Sequence, residues 1–312
     1  MAEIPATRIH LVSWRAALRA ASREIVAFQK FMQLGQLTLR NPVCLAAASW
    51  QLEGAGYERL GAIFTRTVTM EPQPGLYEEG IWQVKEQTLL NATHMRTESA
   101  EILVQEHLPN LRRYGVPVFV SITAPGIPGF RKIARFLARE TAGLIAGVEV
   151  YIAQPDAGKG QELTAQFVRD ATQAVRNELG PAAAVIVKLP PWPEHIRGLA
   201  LGAQEGGADA LATTNLLKAL HLPDDATVAP VVGGLSGEAL RPVALRCVWE
   251  LAHDERITLP IFGTGGVFTA SHVTDYLRCG ASAVQSASGE WLEPGLSARL
   301  AAECGHLVPV NQ

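Results

Sequence analysis

The chain has 312 residues, of which 48% are hydrophobic and 18% charged, and its formal net charge is -3. This composition is typical of a soluble globular enzyme, and it lacks the basic character that nucleic-acid binding requires. No run of about 18 apolar residues, which a membrane-spanning helix would need, occurs in the sequence. We therefore expect a cytoplasmic enzyme that acts on a small molecule.

The first predicted element is an amphipathic helix over residues 13–34. Its apolar residues recur at alternating spacings of four and three, the period of one helix face: Trp14, Leu18, Ala21, Ile25, Phe28 and Met32. The face predicts burial across one end of the following domain or against a second subunit, and binding to a membrane surface is an alternative. We assign residues 1–40 to this helical extension and residues 41–312 to one further domain.

From residue 41 onward, short apolar runs rich in β-branched residues alternate with longer segments of helical periodicity. This alternation indicates repeated βα units and a parallel sheet. We predict eight strands: 42–47, 62–67, 116–122, 148–152, 184–189, 210–214, 259–263 and 283–287. Eight is the strand number of a (β/α)8 TIM barrel, so the predicted fold class is α/β.

Several of these apolar runs turn polar where they end. Lys188 lies near the end of the fifth run, Asn215 follows the sixth, and Arg66 and Thr67 end the second. In a TIM barrel the C-terminal ends of the strands meet at one mouth, where the active site lies. We therefore expect these polar side chains to line a ligand site.

Glycine-rich or small-residue turns follow the last two predicted strands. Gly265 and Gly266 follow the seventh strand, and Ala287 and Ser288 follow the eighth. Glycine lets backbone amides approach an anion closely, and a helix N-terminus favours negative charge. Because these two loops commonly form the phosphate site of a TIM barrel, we predict a ligand that carries a phosphate.

The four cysteines lie far apart along the chain, and no two of them form a CxxC pair: Cys44, Cys247, Cys279 and Cys304. This spacing is unlike that of a zinc site, a redox dithiol or an iron–sulfur cluster. We expect reduced, structural thiols and no metal.

Two stretches carry a resemblance to a known family: GGLSGEALRPVALR at 233–246 and PIFGTGGVFTASHVTDYLRCGASAVQSASG at 260–289. With them, the chain from about residue 41 to 304 resembles the dihydroorotate dehydrogenases and the related domain of dihydropyrimidine dehydrogenase. The resemblance implies a bound FMN and a homodimer. Lys188 would then stabilise the negative charge of the reduced flavin.

The residues that match the FMN contacts of the family fall into two groups. The resemblance implies contacts with the flavin and ribityl part from Ala47, Ala48, Thr67, Asn91, Lys188 and Thr214. It implies that the phosphate side is held by Gly237, Gly265, Gly266, Ala287 and Ser288. Arg66, Asn91 and Asn215 are predicted to bind the substrate, and the planar fork of an arginine suits a carboxylate.

The substrate loop departs from the family pattern. Where the family has Asn-hydrophobic-Ser-Cys-Pro-Asn, with a cysteine or serine base, residues 151–156 read YIAQPD. Gln154 takes the place of the base, and an amide is not a useful proton acceptor near neutral pH. Tyr151, His94 and Asp156 are the other candidates for proton transfer.

Three functional hypotheses follow. We favour an FMN-dependent oxidoreductase that transfers hydride at a CH–CH or C=C unit of a substrate other than orotate. The second hypothesis is a true dihydroorotate dehydrogenase of pyrimidine biosynthesis that uses a different base, and the third is a non-catalytic or partner-dependent FMN-binding protein. Since the sequence has no GxGxxG at the start of a βαβ unit, a small soluble molecule, a quinone or a separate protein is expected to accept the electrons.

Overall fold

The computed structural model describes residues 32–34, 37–47, 54–74, 80–92, 96–152, 163–225, 227 and 229–305. The strands within these ranges are β1 (Met32–Leu34), β2 (Leu37–Leu39), β3 (Val43–Leu45), β4 (Ile63–Phe64), β5 (Val68–Thr69), β6 (Ile81–Lys85), β7 (Thr88–Asn91), β8 (Glu98–Ser99), β9 (Val118–Ile122), β10 (Gly147–Tyr151), β11 (Ala184–Leu189), β12 (Ala210–Thr213), β13 (Leu217–His221), β14 (Val231–Gly237), β15 (Ile261–Thr264) and β16 (Ala283–Ser286).

The helices of the same ranges are mostly those that connect the strands. They are α1 (Ala100–Ile102), α2 (Leu108–Arg112), α3 (Gly126–Thr141), α4 (Ala165–Leu179), α5 (Ile196–Glu205), α6 (Arg241–Ala252), α7 (Ala270–Arg278), α8 (Ser288–Leu292) and α9 (Leu296–Cys304). A π-helical segment, Leu103–His107, joins α1 to α2, and short 3-10 turns span Tyr57–Arg59 and Glu238–Leu240. Among the described residues, no helix is long and apolar enough to cross a membrane.

Eight parallel strands close into a barrel. Around the barrel their order is β3, β4, β9, β10, β11, β12, β15 and β16, and β16 pairs back with β3. The strands form because they are continuous apolar runs that the barrel buries on both faces, as in β11, where all six residues are buried. The predicted (β/α)8 barrel and its eight strands are confirmed.

Alternate residues of each barrel strand pack on opposite sides of the sheet. In β11, Val185 belongs to the large apolar cluster that includes the surrounding helices, whereas Ile186 belongs to the cluster inside the barrel. Three phenylalanines fill that interior: the ring centroid of Phe64 lies 4.9 Å from that of Phe119 and 5.4 Å from that of Phe262. The lower barrel is therefore a packed core.

A β-hairpin of β1 and β2 precedes the barrel. Met32 pairs with Leu39, and the side chains of Leu34 and Leu39 are buried in the interior apolar cluster. The predicted helix is therefore wrong over residues 32–34, because these residues pair with the neighbouring strand and Leu34 packs under the barrel. Residues 13–31 of that helix lie outside the described residues, and the domain division at residue 40 stays a prediction.

Two further hairpins form a four-stranded antiparallel sheet. The strands lie in the order β13, β14, β7, β6, and Gly234 of β14 pairs with Asn91 of β7. The hairpins follow β5 and β12 along the chain, at the ends of the strands that open into the mouth. This sheet, which the sequence analysis did not predict, therefore belongs to the ligand end of the barrel.

All four cysteines are free, and three of them are buried. Burial raises the pKa of Cys44 to about 12 and that of Cys247 to about 12, so both side chains stay as thiols near neutral pH. The expectation of reduced, structural thiols agrees with these positions.

Candidate active site

A layer of polar side chains lies inside the barrel, next to the phenylalanine core. Five strands contribute one buried side chain each to this polar layer: Ser121, Glu149, Lys188, Thr264 and Gln285. In four of these strands the residue two positions earlier belongs to the interior apolar cluster. The period of two along a strand therefore carries the polar side chains to the same inner face, one level nearer the mouth.

Glu149 and Lys188 form a buried ion pair at the centre of the polar layer. The ammonium of Lys188 donates to the two carboxylate oxygens at 3.2 and 3.3 Å and to Oε1 of Gln285 at 3.2 Å. Nε2 of Gln285 donates to Oε2 of Glu149 at 3.0 Å, and the Ser121 hydroxyl donates to Oε1 at 3.2 Å. The carboxylate is thus held by three side chains.

Of the polar layer, Lys188 was predicted from the sequence, and the other members were not. Their signal is a single polar residue inside an apolar run, as Glu149 is in GVEVY and Gln285 is in AVQS. When such a polar residue faces the barrel interior together with its apolar neighbours, its hydrogen-bond partners must also lie inside the barrel. That pattern could have identified them.

Tyr151 and Asn215 meet at the mouth. Tyr151 ends β10, beside Lys188 of β11, and its hydroxyl accepts a hydrogen bond from Nδ2 of Asn215, which follows β12. The backbone carbonyl of Tyr151 accepts from the Thr123 hydroxyl at 3.1 Å. The phenol accepts this bond through a lone pair and keeps its own O–H, which can donate to another group. One predicted catalytic residue and one predicted substrate residue are thus brought together.

Arg66 and Thr67 follow β4 on the same side of the barrel. The hydroxyls of Thr67 and Ser121 lie 2.9 Å apart, which links Thr67 to the polar layer. Arg66 donates to the backbone carbonyl of Arg96 at 3.0 Å. Burial, followed by the like charge of Arg96, lowers the pKa of Arg66 to about 10, so the guanidinium stays charged at neutral pH.

The predicted phosphate residues come together from three loops. The Ser288 hydroxyl donates to that of Ser236 in β14 at 2.9 Å, and a Cβ added to Gly266 would lie 2.7 Å from the carbonyl oxygen of Gly237. Within the described part of the chain, the backbone amides of Gly266, Ala287 and Ser288 donate to no protein acceptor. These loops therefore form a cradle of amides that suits an anion.

Two side chains of α7 hold the first of these loops. The Tyr276 hydroxyl donates to the carbonyl of Gly265 at 2.6 Å, and Nδ1 of His272 lies 3.1 Å from the carbonyl oxygen of Gly266. Burial, and then the charge of Arg241, lower the pKa of His272 below its ordinary value. The shift favours the uncharged form of the ring. His272 is not among the site residues predicted from the sequence.

The other predicted site residues are placed as follows. The amide of Thr214 donates to the carbonyl of Thr264 at 2.8 Å, which puts it next to the polar layer. Asn91 ends β7 in the four-stranded sheet, and Ala47 follows β3 and packs against the interior apolar cluster. The remaining ones lie outside the described ranges, and their roles stay predictions: Ala48, His94, Gln154 and Asp156.

Gly237→Ala is expected to destabilise the protein more than a matched substitution elsewhere. Gly237 has φ 84° and ψ −161°, and its added Cβ would lie 2.0 Å from the carbonyl oxygen of Gln87. Gly180 has φ 69° and ψ −171°, with no atom within 4 Å of its Cβ. Gly180→Ala should cost the backbone strain alone, about 1–3 kcal/mol, and Gly237→Ala about 1–3 kcal/mol more.

Urea unfolding of the two purified variants measures both losses. Equal losses for the two variants would show that the turn at Gly237 can move away from Gln87, and would contradict the tight approach of the two loops.

Comparison with known proteins identifies the family. A model of the dihydroorotate dehydrogenase family matches residues 31–305. The catalytic subunit of dihydroorotate dehydrogenase B (NAD(+)) from Desulforudis audaxviator is 34% identical over 282 residues, 86% of this chain and 88% of that protein. Its counterpart from Methanocella arvoryzae is 34% identical over 273 residues, 84% of this chain and 87% of that protein.

A solved structure shows the same fold. It is that of DHODH from Eimeria tenella in complex with ferulenol, which is 18% identical, has a TM-score of 0.70, and aligns with 93% of this chain and 89% of its own. Together with the family match over nearly the whole length, the barrel and its mouth allow one conclusion: this chain belongs to the dihydroorotate dehydrogenase family of flavin oxidoreductases.

Proposed function

We propose that the chain is an FMN-dependent dihydroorotate dehydrogenase, which oxidises the CH–CH bond of dihydroorotate to C=C. The observation that carries this proposal is the placement of Lys188 and of the phosphate cradle around one mouth, in a chain whose relatives are named for this activity. These relatives favour dihydroorotate over the different substrate that the sequence analysis preferred.

The residues of the mouth fit FMN. The amides of Gly266, Ala287 and Ser288 would hold its phosphate, and the glycine at 266 leaves the space that a side chain would fill. Lys188 and Thr67 would lie along the ring system, because the strand ends that carry them open into the same mouth. When bound, the flavin would supply the acceptor for hydride.

The side chains of this chain would orient the substrate and move the proton. We assign the proton to the Tyr151 hydroxyl, which Asn215 orients, and the substrate carboxylate to the guanidinium of Arg66. The phenol must lose its own proton before it can accept one from the substrate, and because a phenol has an ordinary pKa of about 10, only a small fraction is phenolate near neutral pH. The oxidation is therefore expected to accelerate as the pH rises.

A second candidate function is the same chemistry on a different CH–CH or C=C substrate, and Tyr151 is the observation that favours it. The family pattern has an asparagine at this position, and a phenol is larger than the side chain of asparagine. Its hydrogen bond also engages Asn215, one of the amides that the resemblance assigns to the substrate. We therefore expect the mouth to differ in shape from that of a family member with asparagine at this position.

The relatives also bear on the electron acceptor. Their names contain NAD(+) and call each of them a catalytic subunit. We propose that the acceptor of this chain is a separate partner protein, which is one of the three acceptors considered from the sequence. The expected homodimer stays a prediction.

An anaerobic absorption spectrum tests the proposed function. The purified protein is expected to carry a flavin whose visible band bleaches when dihydroorotate is added, with dithionite as the control that the flavin can be reduced. A band that resists dihydroorotate but bleaches with another CH–CH donor would favour the second candidate. A flavin that only dithionite reduces would favour a binding role, and a protein that cannot retain FMN would overturn the cofactor assignment.

A further inference from the structure

We propose that Glu149 is a positioning residue: it holds the ammonium of Lys188 at the mouth where the flavin would bind and offsets its charge, which would make the bound flavin harder to reduce. The inference deepens the proposed function and rests on it, because it requires FMN at the mouth of the barrel.

The first support is the burial of the ion pair. Glu149 is 0% exposed and Lys188 is 6% exposed, and their charged atoms are 3.2 Å apart on neighbouring strands. The phenylalanine core closes the barrel below them. Since water does not surround the pair, screening is weak and each charge acts over a longer distance than at a surface. The electric field at the mouth is therefore that of a dipole and not that of an isolated cation.

The second support is the fixed orientation of the pair. The Thr264 hydroxyl donates to Oε1 of Gln285 at 2.7 Å, so this oxygen faces Lys188 and the amide nitrogen faces Glu149. The Ser121 hydroxyl donates to Oε1 of Glu149, whereas Gln285 donates to Oε2. These contacts fix the position of the Glu149 carboxylate. The carboxylate in turn fixes the direction of the Lys188 ammonium.

The pair is not needed to fill the barrel. Replacing a buried ion pair by apolar side chains of similar volume is often neutral or stabilising. The phenylalanine layer immediately below already shows that apolar side chains close this barrel. Glu149 therefore differs from an apolar residue in its charge. That charge would act on the cofactor bound at the mouth, beside Lys188.

The variant Glu149→Gln isolates this charge. Glutamine keeps the length of the side chain and an oxygen for the Ser121 hydrogen bond, but it no longer offsets the ammonium. A reduced flavin gathers negative charge at its N1/O2 edge, so an unopposed cation stabilises the reduced form. We expect the ratio of reduced to oxidised flavin at a given potential to rise at least tenfold, which is about 30 mV for a two-electron couple.

The measurement is an anaerobic dye-coupled redox titration of the FMN-loaded proteins. Ser121→Ala is the matched control, because it removes one hydrogen bond from the same carboxylate without changing its charge. Its ratio is expected to stay within about threefold of the wild type, as one lost neutral-donor bond shifts an equilibrium far less than a lost charge. A Glu149→Gln protein that binds FMN with an unchanged ratio would overturn the inference. So would an equal shift in Ser121→Ala.

Glu149→Asp covers the case in which Glu149→Gln does not fold. Aspartate keeps the charge but is one methylene shorter, so the carboxylate retreats from the ammonium. We expect a shift in the same direction and smaller, and an unchanged ratio would again overturn the inference. Failure of the proposed function has a different signature, since it is seen in the wild-type protein, as a flavin band that dihydroorotate does not bleach or as a protein that retains no FMN.

Discussion

Lys188→Met is expected to lower the free energy of unfolding of the flavin-free protein by about 3–5 kcal/mol, the usual cost of breaking a buried ion pair from one side. Methionine fills a similar volume but leaves the carboxylate of Glu149 without its counter-ion, inside a barrel that water does not enter. Urea unfolding, followed by far-UV circular dichroism and tryptophan fluorescence, measures the loss.

Two controls separate the buried charge from the change of side chain. In Lys188→Met/Glu149→Gln no charge is left unpaired, so most of the loss should be recovered. Lys132→Met removes the same group from a pair with Glu71 at 3.7 Å whose side chains are 61% and 84% exposed, and should cost less than about 0.5 kcal/mol. Similar losses for Lys188→Met and Lys132→Met would mean that the barrel interior is open to water.

Tyr151→Phe is expected to slow the reduction of the bound flavin by dihydroorotate about 10²–10⁴-fold, with flavin content unchanged. The substitution keeps the ring and removes only the hydroxyl that Asn215 orients. Stopped-flow absorbance under anaerobic conditions measures the rate, and the accelerating effect of rising pH should disappear with the hydroxyl. If the true substrate is another CH–CH donor, the same comparison applies to that donor.

Thr123→Val is the matched control for this experiment. It removes the hydrogen bond to the backbone carbonyl of Tyr151 but leaves the phenol in place, so the rate should fall less than tenfold. An unchanged rate in Tyr151→Phe would remove Tyr151 from the proton transfer. The role would then pass to His94 or Asp156, the other candidates that the sequence offers.

The barrel could be predicted because its strands obey a strong constraint. A strand that is covered on both faces must be an almost continuous apolar run, as Ala184–Leu189 is, and eight such runs at regular spacing leave few other folds. The strand ends also indicated the mouth, since Lys188 and Asn215 follow apolar runs that end on the same side.

The four-stranded sheet could not be predicted in the same way, because the two hairpins that pair to form it are distant in sequence. Asn91 pairs with Gly234, and neither segment is apolar enough to indicate a strand by itself. At Met32–Leu34 the local helical period pointed to a helix, but pairing with Leu37–Leu39 and burial of Leu34 under the barrel decide the conformation. Strand pairing and burial therefore override the local pattern at both places.

The candidate site could be predicted residue by residue but not as a network. The resemblance pointed to Lys188, Tyr151 and the glycine turns, since each matches or replaces a motif position. Glu149 and Gln285 belong to no motif, and their roles depend on which inward-facing neighbours the barrel brings within hydrogen-bond distance. Which inward-facing side chains become neighbours is determined only when the sheet closes into a barrel.

The approach of Gly237 to Gln87 has a consequence for the order of events during protein synthesis. The amide of Glu238 donates to the Gln87 carbonyl at 2.7 Å, so the phosphate cradle joins an early hairpin to loops near the end of the chain. A nascent chain still short of Ser288 lacks one wall of the cradle, however much of the barrel has already folded. We therefore expect the proposed cofactor to bind late in synthesis, and a ribosome-bound chain that ends before β15 is expected to carry no flavin.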